Sequence, residues 1–267
     1  MASLLVAAGL LWLVTARRVR AARGPAAVSW GRNALFLAGL GAIAVALASP
    51  LDTGAATHFS VHMVQHLLLA LVAAPLLVLA RPLTLALQAS TPVTRRRLVL
   101  LLHRRPLALL SSPLVAWCGF ALVMWGTHFS PLYEAALTNP GVHALEHLAY
   151  LGSAMLFWSS VAAVDPSPAR LSPPARMLYV FVAMPPMTFL GLAIYSARHV
   201  LYPVYGEGPA ALADQRLAGA LMGGSGVLVI VPAAGALLLD WWSREERAAA
   251  RADACLDRAL GLGGDPS

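Results

Sequence analysis

The sequence predicts an all-α membrane protein, a polytopic bundle of seven transmembrane helices with its amino terminus outside and its carboxyl terminus in the cytoplasm. Three observations predict it. Of 267 residues, 59% are hydrophobic and only 12% are charged, where a soluble domain carries about 25% charged residues. Several apolar runs approach the roughly 20 residues that cross a bilayer, and the mean hydropathy is +0.71. The arginines, finally, gather on one side of those runs.

The expected spans are about 2–16, 34–50, 59–80, 113–128, 142–164, 177–199 and 216–240, within a transmembrane domain of about residues 1–243. The first, "MASLLVAAGLLWLVTA", has its charges after it, in "RRVRAAR". A cleaved leader has the reverse order, so this run reads as a retained helix. The second and third spans flank the short segment "SPLDTGAATH". After the third comes a long inner connection, residues 81–112, in which arginine clusters alternate with leucines. It reads as helix lying in the inner interface, with the arginines among lipid headgroups and His103 as an interfacial side chain. "MPPM" at 184–187 falls within the sixth span and reads as a kink. "GALMGGSG" at 219–226 reads as a close helix contact built on Gly219 and Gly223. Residues 244–267 form a polar cytoplasmic tail, a solvated helix and then a frayed end.

Orientation follows from the positive-inside rule. With the amino terminus outside, the inner segments hold Arg17, Arg18, Arg20, Arg23 and Arg32, then Arg81, Arg95, Arg96, Arg97, Arg104 and Arg105. Arg170, Arg176 and the four arginines of the tail follow, leaving only Arg198 and Arg216 outside. The sequence pI of about 10.2 therefore reads as lipid contact and excludes a nucleic-acid face, because the charges sit in short loops beside apolar runs. All 19 basic residues are arginine, which excludes a retinal Schiff base, since that linkage needs a lysine amine. Cys118 and Cys255 lie in an apolar run and in the tail, so they read as free thiols. No CxxCH is present for covalent haem.

The histidines carry the chemistry. His58, His62, His66, His128, His143, His147 and His199 all fall at or just inside the outer surface, and only His103 does not. His62 and His66 are four apart, as are His143 and His147. Residues at that spacing share a helix face about 6 Å apart along the axis, so each pair can offer two imidazoles to one ion. Both helices run inward, which sets His62 level with His143 and His66 level with His147. Intramembrane ionisable groups are functional by default. His58 caps the helix mouth or relays an ion inward. Glu146 and Asp214 are expected to orient imidazoles through their second ring nitrogen. His128 and His199 read as interfacial polar side chains, and Met63 and Met222 as packing. Imidazole suits zinc, copper, iron and nickel, and thioethers nearby favour Cu(I); residue type alone leaves the metal open.

The stretches "HMVQHLLLALVAAPLLVLARPL", "SPLYEAALTNPGVHALEHLAYLGSAMLFW" and "LYPVYGEGPAALADQRLAGALMGG" together resemble the CtaG family, multi-span assembly factors for bacterial caa-type cytochrome c oxidase. The resemblance covers about residues 34–240, and the HMxQH and HxxEH pieces in this order are specific. It implies a multi-pass protein of the bacterial plasma membrane with oxidase subunits as partners. It also implies a role in making the oxidase active by handling copper on the outer side, rather than an enzyme's role. The motif histidines map onto His62, His66, His143 and His147, and the aspartate of the DQ motif onto Asp214. Where the family pattern has a Met-Trp pair after that motif, this chain has Met222-Gly223, so a more open metal site is expected. Two alternatives remain beside this reading. One is a seven-helix zinc hydrolase with Glu146 or Asp214 as base; the other is a haem electron carrier ligated by His66 and His147.

Overall fold

The computed structural model describes residues 1–163 and 171–259, the side chains of 257–259 excepted. The expected frayed end at 260–267, and Ser167 and Arg170 of the inner connection, lie outside the described residues. Every regular element among the described residues is helical.

The helices begin for a shared local reason. Helices α1 (Ala2–Arg23) and α2 (Trp30–Leu47) are followed by α3 (Pro50–Ala55), which opens on proline after Ser49. Ser49 Oγ accepts the Leu51 N–H at 3.2 Å. Proline at the first helical position costs no hydrogen bond, and a Ser, Thr or Asn before it takes up one of the free amide donors. Proline in the first two positions recurs at α6 (Pro82–Ala89), α7 (Pro92–Leu102), α8 (Arg105–Leu110), α9 (Pro113–His128), α10 (Pro131–Thr138), α11 (Pro140–Ala162) and α12 (Pro173–Val182), and a side-chain cap accompanies it at α7, α10 and α11. Asn139, before α11, accepts from the Gly141 and Val142 amides at 2.8 and 3.3 Å.

The third expected span is built from α4 (Phe59–Leu67), a π-helical stretch at Leu68–Ala73, and α5 (Ala74–Ala80). A π turn pairs residue i with i+5, and Pro75 has no N–H to give to the Ala70 carbonyl. That carbonyl instead accepts the Trp158 indole N–H at 2.9 Å, tying α4–α5 to α11 beneath the histidines. The sixth span breaks at Ala183 into α12 and α13 (Met184–Ser196), as the double proline predicts.

Helix α14 (Gly208–Ala259) runs 52 residues without interruption, about 78 Å at 1.5 Å per residue. It continues through residue 243, so the polar tail extends the last apolar helix. Gly219 and Gly223 meet Gly191 of α13: a Cβ on Gly191 would lie 2.6 Å from the Gly219 carbonyl oxygen. Helix α12 is held to α14 by Arg176, whose guanidinium lies 3.7 Å from the Asp240 carboxylate.

Five helices, Ala2–Arg23, Trp30–Leu47, Phe59–Ala89, Pro173–Ser196 and Gly208–Leu256, are long and apolar enough to cross a membrane. The two other expected spans are also helical. Helix α9 has only 16 residues, and α11, with 23, carries His143, Glu146 and His147. Leucines such as Leu4, Leu11, Leu122, Leu148 and Leu228 point outward and stand exposed, as the rim of a bundle in lipid requires. The main core, with Phe59, Met63, Met124, Tyr133, Tyr150, Phe157, Ile194 and Met222, lies among α4, α9, α10, α11, α13 and α14. Cys118 and Cys255 are free, as expected.

Candidate metal centre

Helix α4 is fixed from three sides, and that fixes its histidines. Its N-cap residue, His58, makes no side-chain cap. Asp214 of α14 supplies one instead: its Oδ2 accepts the Phe59 and Ser60 amides at 2.7 and 3.3 Å, and Ser60 Oγ donates to Oδ1. A carboxylate at a helix amino terminus satisfies orphan donors and opposes the positive end of the dipole. Gln65, the glutamine of the HMxQH stretch, donates to the Ala46 carbonyl at 2.7 Å and to Asp52 at 3.1 Å. Gln215 of the DQ pair accepts the Leu201 amide at 2.7 Å and donates to the His199 carbonyl at 3.2 Å, holding the loop before α14 against the bundle.

Helices α4 and α11 then face each other with matched rungs. The ring centroids of His62 and His143 are 5.2 Å apart and those of His66 and His147 5.6 Å. Along each helix the separations are 4.5 Å for His62–His66 and 4.2 Å for His143–His147. His62 Nε2 lies 3.0 Å from His66 Nε2, and Glu146 Oε2 lies 3.8 Å from both. Two groups each bring one ligand atom per residue within 4.8 Å: His62, His143 and His147, and His62, His66 and Glu146. Two nitrogens bound at about 2.0–2.1 Å to a tetrahedral ion lie roughly 3.3 Å apart, so modest side-chain movement would close either set on an ion.

The donor chemistry also fits. His143 Nε2, His147 Nε2, His66 Nδ1 and both Glu146 oxygens are buried without a hydrogen-bond partner among the described residues. Buried polar atoms in this state are costly unless something occupies them. His62 and His66 are 0% and 1% exposed.

The site is covered by aromatics. His62 Nδ1 lies 2.9 Å from the Tyr205 hydroxyl, which lies 3.1 Å from that of Tyr133. Phe59 packs on Tyr133, Tyr202 and Tyr205 with centroids 4.8 to 5.6 Å apart. Burial raises the pKa of Tyr133, Tyr202 and Tyr205 above the usual phenol range, so these hydroxyls keep their protons.

Several sequence expectations change. Among the described residues Asp214 bonds the start of α4 and not an imidazole. Glu146 stands within the ring of histidines rather than behind it. His58 is exposed, its Nδ1 2.9 Å from the Thr57 hydroxyl, and joins neither ligand set. His199 is exposed, as expected of an interfacial residue. His128 is not interfacial: it is 2% exposed, its ring 6.1 Å from that of His66 and its Nε2 3.2 Å from Met63 Sδ. The Tyr202 hydroxyl donates to the His128 carbonyl at 2.6 Å, so the same aromatic cover draws this helix end inward. Nor is the site open for want of a tryptophan at 223. A Cβ on Gly223 would face α13, 3.7 Å from the Thr188 carbonyl oxygen, and the tyrosines close the cluster from another side. Tyr202 and Tyr205 reach the site from "LYPVY", a connection with no regular period to mark them in the sequence.

Fold and site together define a helical membrane protein with a buried histidine–carboxylate cluster at one end of its bundle. The chain belongs to the cytochrome c oxidase caa3 assembly factor family (Caa3_CtaG), which it matches over residues 10–244. It is 30% identical over 241 residues to the uncharacterized protein Mb0105 of Mycobacterium bovis and to MT0111 of Mycobacterium tuberculosis. It is 28% identical over 236 residues to ML1998 of Mycobacterium leprae. Each alignment covers 84% of this chain but 36% of the relative, so the chain spans about a third of the length of these curated relatives. No solved structure matches it.

Proposed function

We propose that this protein captures copper from the outer side of the bacterial plasma membrane and assists its delivery to a cytochrome c oxidase subunit. In this reading residues 1–243 form a seven-span domain, amino terminus outside, and residues 244–267 a cytoplasmic tail. His62, His66, His143 and His147 hold the ion, with Glu146 beside them. Asp214 sets the position of α4, and His58 stands at the outer mouth. The observation that carries the reading is the convergence of two imidazole pairs and a carboxylate, several of whose buried polar atoms have no partner among the described residues.

For His62 to ligate through Nε2, its Nδ1–H must donate to the Tyr205 oxygen. That bond fixes the tautomer and the ring plane. Imidazoles and a single carboxylate bind copper firmly yet release it by stepwise ligand exchange, since four nitrogens exceed what a two- or three-coordinate ion needs.

One feature favours a second reading. His62, His143 and His147 with Glu146 meet the count of a catalytic zinc site, three ligands and a base. A haem between His66 and His147 is disfavoured, because His62 Nε2 sits 3.0 Å from His66 Nε2, where the macrocycle would pass.

The test is in cells. With His66 and His147 both replaced by alanine, oxidase subunits should still be made and inserted, oxidase activity should fall under copper limitation, and added copper should restore part of it. Full activity of the double variant under copper limitation would refute delivery. A hydrolase would show neither the loss nor the copper response.

A further inference from the structure

We propose that Met63 and His128 form a second, softer copper station beside the four-histidine cluster, one that takes the ion as Cu(I). The proposal rests on the copper reading above and specifies the oxidation state and route.

The geometry is unusual for packing. His128 Nδ1 lies 2.7 Å from the Met124 carbonyl oxygen, which can only accept, so Nδ1 carries the ring proton. Nε2 therefore presents a lone pair, and what it faces at 3.2 Å is the thioether of Met63, another lone-pair donor. Both side chains are buried, Met63 at 0% and His128 at 2% exposure. Two acceptors converging in a dry core have no hydrogen to share. An ion held at about 2.0–2.1 Å from nitrogen and about 2.3 Å from sulfur would sit beside the line joining them. An opening of about 0.3 Å would bring the ligand angle to the tetrahedral value.

Thioether with imidazole is a soft donor set that selects Cu(I) over zinc. The position suits a relay. Met63 lies on α4 between His62 and His66, and the His66 ring is 6.1 Å from that of His128. An ion leaving the His62–His66 pair crosses one imidazole to reach the thioether. It changes ligands and keeps its charge and oxidation state, so the step needs no oxidant or reductant.

The experiment uses the full chain in lipid nanodiscs, loaded anaerobically with one equivalent of Cu(I) and examined by X-ray absorption at the copper edge. Wild type should show a sulfur neighbour at about 2.3 Å. Met63→Leu, which nearly conserves volume, should lose it, and Cu(I) affinity should fall by about tenfold or more while zinc affinity stays. Selenomethionine-labelled wild type, which alters no residue position, should show a copper–selenium path that Met63→Leu abolishes. A nitrogen-only shell around Cu(I) in copper-loaded wild type would overturn this station and leave the histidine cluster standing. Sulfur scattering that survives in Met63→Leu would overturn it equally. Absence of copper from wild type would instead strike the copper reading itself.

Discussion

Asp214 and Phe59 stand 155 positions apart in the chain, yet the Asp214 carboxylate accepts the Phe59 backbone N–H at 2.7 Å. The first turn of α4, which leads directly into His62 and His66, is thus capped by the last helix. Replacing Asp214 by alanine should cost about 1–2 kcal/mol, read as a lower midpoint of thermal unfolding in detergent. Asp214→Asn should recover part of the loss, because an amide oxygen still accepts the amides. Unchanged unfolding of the alanine variant would show that the cap contributes nothing.

The α13–α14 contact leaves no room for a methyl group. Gly191→Ala would place its Cβ 2.6 Å from the Gly219 carbonyl oxygen, against backbone that cannot yield without parting the helices. We expect a loss of at least about 3 kcal/mol and low folded yield. Gly226→Ala, whose Cβ would meet nothing within 4 Å, should be neutral or slightly stabilising by helix propensity. Equal yields of the two variants would contradict this packing.

How far the sequence anticipated this depends on the range of each interaction. His62–His66 and His143–His147 were legible because helical period alone pairs residues four apart, and the break at "MPPM" was legible because proline acts on its own turn. Gly219 and Gly223 announced a contact, but their partner Gly191 is a single glycine with no pattern around it. The role of Asp214 was not legible, since capping another helix leaves no local trace. Nor was the inward turn of His128, which depends on Met63 and Tyr202 arriving from two other elements. The π turn at Leu68–Ala73 also has no period of its own in the sequence.

Tyr205 offers a test of ligand orientation. Tyr205→Phe removes the hydroxyl 2.9 Å from His62 Nδ1 while keeping the ring stacked on Phe59. Metal affinity should weaken by about 10–100-fold, measured by competition with a chelator of known affinity. An unaltered affinity would mean that the hydroxyl does not set the His62 ring.

Orientation is open to chemical labelling. Single cysteines at Thr138 and Glu207, both exposed, should react with an impermeant thiol reagent in intact cells on a background without Cys118 and Cys255. Cysteines at Ser90, between α6 and α7, and at Ser167, outside the described residues, should react only after the membrane is opened. Labelling of Ser90→Cys from outside would invert the topology and move the histidine cluster to the cytoplasmic face.

The most direct measurement is the copper content of purified protein after loading, compared among wild type, His62→Ala, His147→Ala and His103→Ala. His62 and His147 belong to the cluster, whereas His103 is exposed and lies against the Val99 carbonyl of its own helix. Copper should be present in wild type and His103→Ala and markedly lower in His62→Ala and His147→Ala, with all four proteins inserted and helical. Equal copper in all four, or zinc in place of copper throughout, would contradict a copper site built on these histidines.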